Sequence, residues 1–153
     1  DVGAMGKGLL VDHVAGLVEE HTHRFTVDAG GDLHHGGTEP LRVALEHPSH
    51  PSRAIGVAEI DPGDALCGSA TNRRRWADDL HHVLDGRTGR PTHDVVATWV
   101  VVAQSCMRAD ALATAHFFAD PEALMARFDH QFVRLHADGR VLVSHDFPGE
   151  VFT

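Results

Sequence analysis

Residues 95–119 read VVATWVVVAQSCMRADALATAHFFA, and this stretch decides the fold. Its first part is almost entirely apolar and rich in β-branched valine, which predicts a buried strand over Val95–Val102. The run is much shorter than the roughly 18 apolar residues that a membrane span needs. From Cys106 onward apolar residues recur at helical spacing, which predicts a helix over Cys106–Ala119. A buried strand that leads straight into a helix indicates that sheet and helices share one core.

The rest of the chain mixes short strands and helices. Apolar residues at helical spacing predict an amphipathic helix over Lys7–His21. Two prolines predict a loop at His47–Pro51. Because strands and helices do not alternate regularly, we expect an α+β fold with a mixed, mostly antiparallel sheet flanked by helices. The other predicted elements are strands over Arg24–Val27, Leu33–His35, Leu41–Leu45, Ala54–Ile60, Ala65–Thr71 and Leu80–Leu84, a helix from Pro121 to about Phe128, and a hairpin of Phe132–Leu135 with Arg140–Val143.

The composition is that of a globular domain with an acidic surface. The 153 residues are 42% hydrophobic and carry a formal net charge of −9. Such a surface repels phosphate backbones, which argues against nucleic acid as a partner. The run Arg73–Arg75 is interpreted as a solvated strand end or turn. Cys67 and Cys106 are far apart in sequence, which leaves a disulfide between them open.

Two glycine-rich segments in the first third of the chain favour close approach of a ligand to the backbone. Residues 1–8, DVGAMGKG, crowd small residues before the first predicted helix, whose free N–H groups could receive an anion. Lys7 would add a positive charge there. Residues 28–32, DAGGD, predict a tight turn between strands, because paired glycines allow positive φ. By itself, each segment is more often a structural turn than a ligand site.

Two later segments carry side chains suited to catalysis. Residues 82–91, HVLDGRTGRP, place His82 at a predicted strand end beside a glycine-rich loop, and histidine transfers protons near neutral pH. In residues 109–115, ADALATA, Asp110 and Thr114 are four residues apart and share a helix face. Their oxygens are hard ligands of the kind Mg²⁺ prefers. The alternative is a purely structural role for both residues. Asp110 would then be an acidic residue near the start of the helix, and the Thr114 hydroxyl would bond to a carbonyl of its own helix.

Together, the four segments resemble the ApbE family of FAD:protein FMN transferases in order and content. The family pattern runs from an aspartate- and glycine-containing helix entry through an N/D-x-G-G-D turn to H-I-I-D-P-x-T-G-x-P and A-D-A-L-A-T-A. Its counterparts here are residues 1–12, 28–32, 82–91 and 109–115. The resemblance covers nearly the whole chain but only the C-terminal half of a family member. We therefore expect residues 1–153 to be the C-terminal portion of such a domain, with an N-terminal half absent.

The resemblance implies binding of FAD and Mg²⁺, transfer of FMN to a serine or threonine of an acceptor flavoprotein, and release of AMP. It implies a metal site formed by the main-chain oxygen of Ala4 with Asp110 and Thr114, so that Asp110 also serves catalysis. Asp1 and Lys7 match positions that contact FAD. His82 and Val83 match the strand beside the flavin nucleotide, and we hypothesise that His82 is the general base on the acceptor hydroxyl.

Other interpretations remain open. Gly86 stands where the family usually has proline, and the absent half supplies much of the adenine and flavin pocket, so an FAD-binding module without transferase activity is the main alternative. Relatives are often exported lipoproteins, but the chain shows no signal segment and its compartment stays open. A third interpretation is a histidine-rich metal-binding protein that would use His21, His23, His34, His35, His81 and His82.

Overall fold

The computed structural model describes residues 2–77 and 80–152. A short 3₁₀ helix, Val2–Ala4, precedes three α-helices: α1 Gly6–Glu19, α2 Cys106–Ala115 and α3 Pro121–Met125. The strands are β1 Thr26–Asp28, β2 Asp32–His35, β3 Leu41–His47, β4 His50–Ile60, β5 Asp64–Ala70, β6 Arg75–Ala77, β7 Leu80–His81, β8 Leu84–Asp85, β9 Arg90–Pro91, β10 Val95–Ala103, β11 Gln131–His136, β12 Val141–Val143 and β13 Gly149–Val151. The α+β prediction is confirmed, and every strand pairing within the described ranges is antiparallel.

The core has three layers around a central six-stranded sheet. That sheet has the order β1-β2-β5-β10-β11-β12, and a second sheet has the order β13-β4-β3. One face of β10 carries Val100 and Val102 into an apolar cluster with α2. The other face carries Trp99 and Val101 into a cluster with the second sheet. Burial on both faces explains why this strand is apolar almost throughout.

Helices α1 and α2 are locked together at their N-terminal ends. A Cβ on Gly8 would lie 2.4 Å from the carbonyl oxygen of Cys106, so only glycine permits this approach of the two backbones. The Asp12 carboxylate accepts hydrogen bonds from the N–H groups of Cys106 (2.8 Å) and Met107 (3.0 Å) at the start of α2. Thr98 on β10 donates to the carbonyl of Ala113 (2.7 Å), which ties the helix to the sheet.

Two of the predicted elements are wrong. The predicted loop at His47–Pro51 is a tight hairpin in which β3 runs to His47 and β4 starts at His50. The predicted strand Leu80–Leu84 is interrupted at His82 and Val83, and its two ends pair with different strands, β6 and β9. Both errors have one cause, since local composition does not show which strand offers a pairing partner.

Boundaries shift elsewhere, and some elements were not predicted. Helix α2 ends at Ala115 rather than Ala119, and α3 ends at Met125 rather than about Phe128. The short strands β6, β9 and β13 were not predicted. Cys67 and Cys106 are both buried free thiols, with their sulfur atoms 3.3 Å apart. In the described ranges, no helix is long and apolar enough to cross a membrane.

Candidate functional site

A cavity of about 580 Å³ opens where α1 and α2 meet the ends of β2 and β5. It is lined by residues from several separate segments of the chain. A cavity of this size that combines apolar walls with a few polar groups is the usual form of a small-molecule site. The lining includes Gly3, Ala4, Lys7, Asp28, Ala29, Gly30, Gly31, Leu33, Val43, Glu46, Leu66, Gly68, Ser69, Asn72, Arg73, Arg74, His82, Val83, Trp99, Asp110, Thr114, Phe117 and Phe118.

The start of α1 forms one wall of the cavity. The 3₁₀ turn brings Ala4 to the lining, and Lys7 follows about one helical turn later. The N-cap residue of α1 is Met5, which makes no side-chain cap, and within the described residues this leaves N–H groups of the first turn for a ligand. The Gly8 N–H donates to the Asp110 carboxylate (3.0 Å) and so links this wall to the next.

Asp110 and Thr114 lie on the cavity face of α2. Asp110 is only 3% exposed, and its second oxygen receives no hydrogen bond from the described residues. Burial raises the pKa of the Asp110 carboxyl; the Gly8 N–H opposes this, the charge of Asp32 adds to it, and Lys7 opposes it weakly. The Thr114 hydroxyl makes no hydrogen bond within the same ranges, so back-bonding to the helix does not occupy it.

The glycine turn between β1 and β2 forms the adjoining wall. Gly30 and Gly31 have φ values of +77° and +104°, which strongly favour glycine. The Asp28 carboxylate accepts the Gly31 N–H (2.9 Å), and the Gly68 N–H donates to the Gly31 carbonyl (2.8 Å). The predicted turn is confirmed, and its backbone is held against β5 at the cavity.

His82 lies in the break between β7 and β8 and faces the cavity. Its Nδ1 is 3.4 Å from the carbonyl oxygen of Arg74, a long contact that places the ring proton on Nδ1 and leaves Nε2 as the basic atom. Burial lowers the pKa of His82, and the charges of Arg74 and Lys7 contribute, while the Arg74 carbonyl opposes the shift. The ring is therefore neutral near pH 7, as a general base requires.

The cavity gathers six of the seven predicted site residues: Ala4, Lys7, His82, Val83, Asp110 and Thr114. The seventh, Asp1, lies outside the described residues. The roles of all seven stay predictions. Sequence reasoning missed the contributions of Trp99, Arg73 and Arg74, which also line the cavity. The arginine run is an exposed bend that leads into β6, as predicted, and Arg73 pairs with Glu46 (3.1 Å) at the rim.

The donor atoms at the cavity suit a hard cation. Carboxylate, hydroxyl and main-chain oxygens are what Mg²⁺ takes from proteins, with phosphate oxygens and waters completing its shell. Asp110 and Thr114 each present an oxygen without a protein partner within the described ranges, so these residues fit the ion.

The histidine-rich interpretation finds no support. Across residues 2–77 and 80–152, no three His, Cys, Asp or Glu side chains are grouped to hold a metal. His34 contacts Asp12, whereas its neighbour His35 contacts Thr26 and the carbonyl of Glu39. These adjacent histidines therefore point in opposite directions, as strand geometry requires.

Comparison with known proteins assigns the chain to a family. The ApbE family model matches residues 1–136. The chain belongs to the ApbE family. It is 33% identical over 135 residues to the FAD:protein FMN transferase of Vibrio cholerae and 32% identical over 130 residues to that of Escherichia coli K12. These alignments cover 82% and 80% of this chain but 40% and 37% of the two relatives.

Solved ApbE structures share the fold. The ApbE protein of Thermotoga maritima superposes with a TM-score of 0.86 at 24% identity, over 98% of this chain and 53% of that one. The flavin transferase ApbE of Vibrio cholerae superposes with a TM-score of 0.75 at 28% identity, over 96% and 51%. The chain thus spans about 40% of the curated relatives and half of the solved chains.

Proposed function

We propose that this chain carries the magnesium and diphosphate part of an FAD:protein FMN transferase. The reaction moves FMN from FAD to a serine or threonine hydroxyl of an acceptor flavoprotein and releases AMP. The observation that carries the proposal is the convergence of Ala4, Lys7, His82, Asp110 and Thr114, from three separate segments, on one cavity. Because the relatives are more than twice as long, we propose that an upstream half supplies the remaining walls for the adenine and flavin rings.

The diphosphate end of the site is formed by α1 and α2. Ala4 (through its carbonyl), Asp110 and Thr114 would hold Mg²⁺. When bound, this ion neutralises charge on the diphosphate and orients the attacking hydroxyl. The uncapped first turn of α1 and the ammonium of Lys7 bind phosphate oxygens. Since burial raises the pKa of Asp110, metal affinity increases with pH as that carboxyl ionises.

His82 acts on the acceptor. Its Nε2 accepts the proton of the acceptor hydroxyl as the hydroxyl oxygen bonds to the phosphorus of the FMN half of FAD. The bond from that phosphorus to the bridging oxygen breaks, and AMP leaves with this oxygen. The contact with the Arg74 carbonyl keeps the ring in the tautomer that can accept a proton.

Calorimetric titration tests the diphosphate site. FAD, and ADP as a diphosphate without a flavin, are titrated into the chain with Mg²⁺ and then with EDTA. We expect binding that requires Mg²⁺ and that falls by about a hundredfold in Asp110→Asn, since a metal ligand is lost. Asp120→Asn is the matched control, because Asp120 caps α3 and does not line the cavity. The proposal is contradicted if affinity is the same with EDTA as with Mg²⁺, or the same in Asp110→Asn as in the native chain. It is also contradicted if neither FAD nor ADP binds.

Transfer itself is measured as FMN bound covalently to an acceptor flavoprotein, with the upstream half supplied as a longer chain. We expect His82→Ala to lower the rate by about 10²- to 10⁴-fold while leaving FAD affinity nearly unchanged. His13→Ala, at an exposed position on α1, is the control. An unaltered transfer rate in His82→Ala would remove its role as the base.

An FAD-binding module without transferase activity is the second candidate. Gly86, in the loop after His82 where the family usually has proline, favours it. The two candidates differ in one product, since only the transferase releases AMP from FAD when the acceptor is present.

A further inference from the structure

Asp32 is a buried carboxylate beneath the cavity. Its side chain is 1% exposed and is hydrogen-bonded to the ammonium of Lys7. Its other oxygen, Oδ1, is buried without a partner among the described residues. A buried carboxylate with so few hydrogen bonds costs several kcal/mol. A buried ion pair of this kind adds little to the free energy of unfolding, so the pairing of Asp32 with Lys7 calls for a functional reason.

Lys7 connects Asp32 to the cavity. Its side chain is 44% exposed and lines the cavity, whereas Asp32 does not reach the lining. An ammonium has three N–H donors, so one bond to Asp32 leaves two for a ligand. A free lysine chain is flexible, and pairing its tip with a fixed carboxylate restricts the tip to one place.

We propose that Asp32 is a positioning residue, which acts through Lys7 by holding its ammonium at the cavity wall to receive a phosphate oxygen. The inference rests on the proposed function, since it concerns the diphosphate end of that site. Asp32 lies on β2, directly after the glycine turn, so the strand that anchors it also carries the backbone of the adjoining wall. A ligand therefore meets a cation that is already in place.

The electrostatics agree with this arrangement. Burial by itself lowers the pKa of Lys7, but the hydrogen bond and charge of Asp32, with the charge of Asp110, outweigh it and raise the pKa. Without Asp32, burial would dominate, and Lys7 would lose its proton at a lower pH. Asp32 thus extends to higher pH the range in which Lys7 carries its charge.

A double-mutant cycle with Asp32→Asn and Lys7→Gln tests the coupling. The readout is the affinity for ADP with Mg²⁺, measured from pH 7 to pH 9.5, below the pH at which magnesium hydroxide precipitates. We expect each single substitution to weaken binding by about tenfold or more, and the double variant to be no weaker than Lys7→Gln. Glu59→Gln, an exposed carboxylate on β4 away from the cavity, is the control for loss of a negative charge.

The pH profile separates positioning from structure. Because Asp32 raises the pKa of Lys7, we expect the native chain to keep its ADP affinity up to pH 9.5, Asp32→Asn to lose affinity toward that limit, and Lys7→Gln to show no such dependence on pH. If Asp32→Asn alters thermal stability but leaves both affinity and pH profile unchanged, the proposal is overturned.

A second readout does not depend on ligand binding. Lys7 is titrated by NMR in the native chain and in Asp32→Asn, and we expect its pKa to fall in the variant. If the native chain binds neither ADP nor FAD, the proposed function fails. Independently of that result, a Lys7 pKa that is the same in the native chain and in Asp32→Asn would overturn the coupling between Asp32 and Lys7. Should Asp32→Asn not fold, a Lys7 pKa in the native chain at or below the free-lysine value would overturn it instead.

Discussion

The two sides of the cavity differ in how firmly they are held. On the helical side, formed by α1 and α2, Gly8 packs against the carbonyl of Cys106 and Asp12 caps the start of α2. The Asp110 carboxylate is buried and hydrogen-bonded across the two helices. Each contact joins residues 94 to 102 positions apart, so the residues proposed to bind metal and diphosphate sit on a rigid scaffold.

The other side is the rim segment, residues 71–77 and 80–92. It contains four strands of two or three residues each, which form two separate two-stranded ladders. Trp76 is 72% exposed and Leu84 is 50% exposed, while Val83 packs into a small cluster with Val95 and Phe117. His82 therefore lies on a segment with few buried contacts, which is where local opening costs least.

The difference matches the tasks proposed for the two sides. Metal and diphosphate binding gain from ligands fixed before the substrate arrives. A base that must meet a hydroxyl of a second protein gains from a segment that can adjust to that protein. The predictions below test whether the helical side is as rigid, and the rim segment as loosely attached, as the contacts indicate.

The largest effect is expected at the contact between the two helices. In Gly8→Ala the new Cβ would lie 2.4 Å from a backbone oxygen, which cannot move aside as a side chain can. We expect the free energy of unfolding to fall by about 3 kcal/mol, as in severe overpacking. Because Gly8 also donates to Asp110, Mg²⁺-dependent ADP binding should weaken with it. Urea unfolding and calorimetry measure the two effects.

Gly16→Ala is the matched control on the same helix. A Cβ there meets nothing within 4 Å, so the gain in helix propensity should stabilise the chain by about 0.5–1 kcal/mol. If both substitutions stabilise the chain, the helices are not locked as described.

A smaller effect, with a pH signature, is expected just beyond the other end of α2. His116 is fully buried, and its Nε2 is 2.9 Å from Nε2 of His130. Burial, with the charges of His130 and Arg134, lowers the pKa of His116 to about 4. The unfolded chain therefore binds this proton at higher pH than the folded chain. Stability is fully present above pH 6.5 and is lost as pH falls toward 4.

We expect that loss to be about 3 kcal/mol by pH 4, and to be absent in His116→Gln. Denaturant unfolding at a series of pH values between 7 and 4 measures it. His13→Gln removes an exposed histidine from α1 and controls for the loss of one titrating group. An equal acid loss in His116→Gln and in the native chain would show that protonation of His116 does not cause the loss.

The smallest effect is expected on the rim segment. Because Trp76 is mostly exposed, Trp76→Ser should change the free energy of unfolding by less than about 0.5 kcal/mol. Val83→Ala, at the buried contact of the same segment, should cost more. A loss above about 1 kcal/mol for Trp76→Ser would place the rim segment in the core and remove the contrast between the two sides.

Much of the fold follows from patterns within short stretches of sequence. The apolar run in residues 95–103, the helical spacing after Cys106 and the paired glycines at 30–31 each predict an element that the structure contains. The errors lie where pairing partners decide the structure. No local signal shows that His82 interrupts two short strands or that Gly149–Val151 pairs with β4.

The sequence by itself predicted an α+β architecture with a mostly antiparallel sheet, its central strand and, through resemblance to a family, a set of site residues that line one cavity. Helix and strand periods and glycine conformations are properties of neighbouring residues, so they can be read along the chain. Only the tertiary structure decided that Gly8 meets Cys106 and that Asp32 is buried beneath Lys7. Burial and charge pairing depend on segments 25 to 100 residues apart being packed together, and no spacing in the sequence reports that.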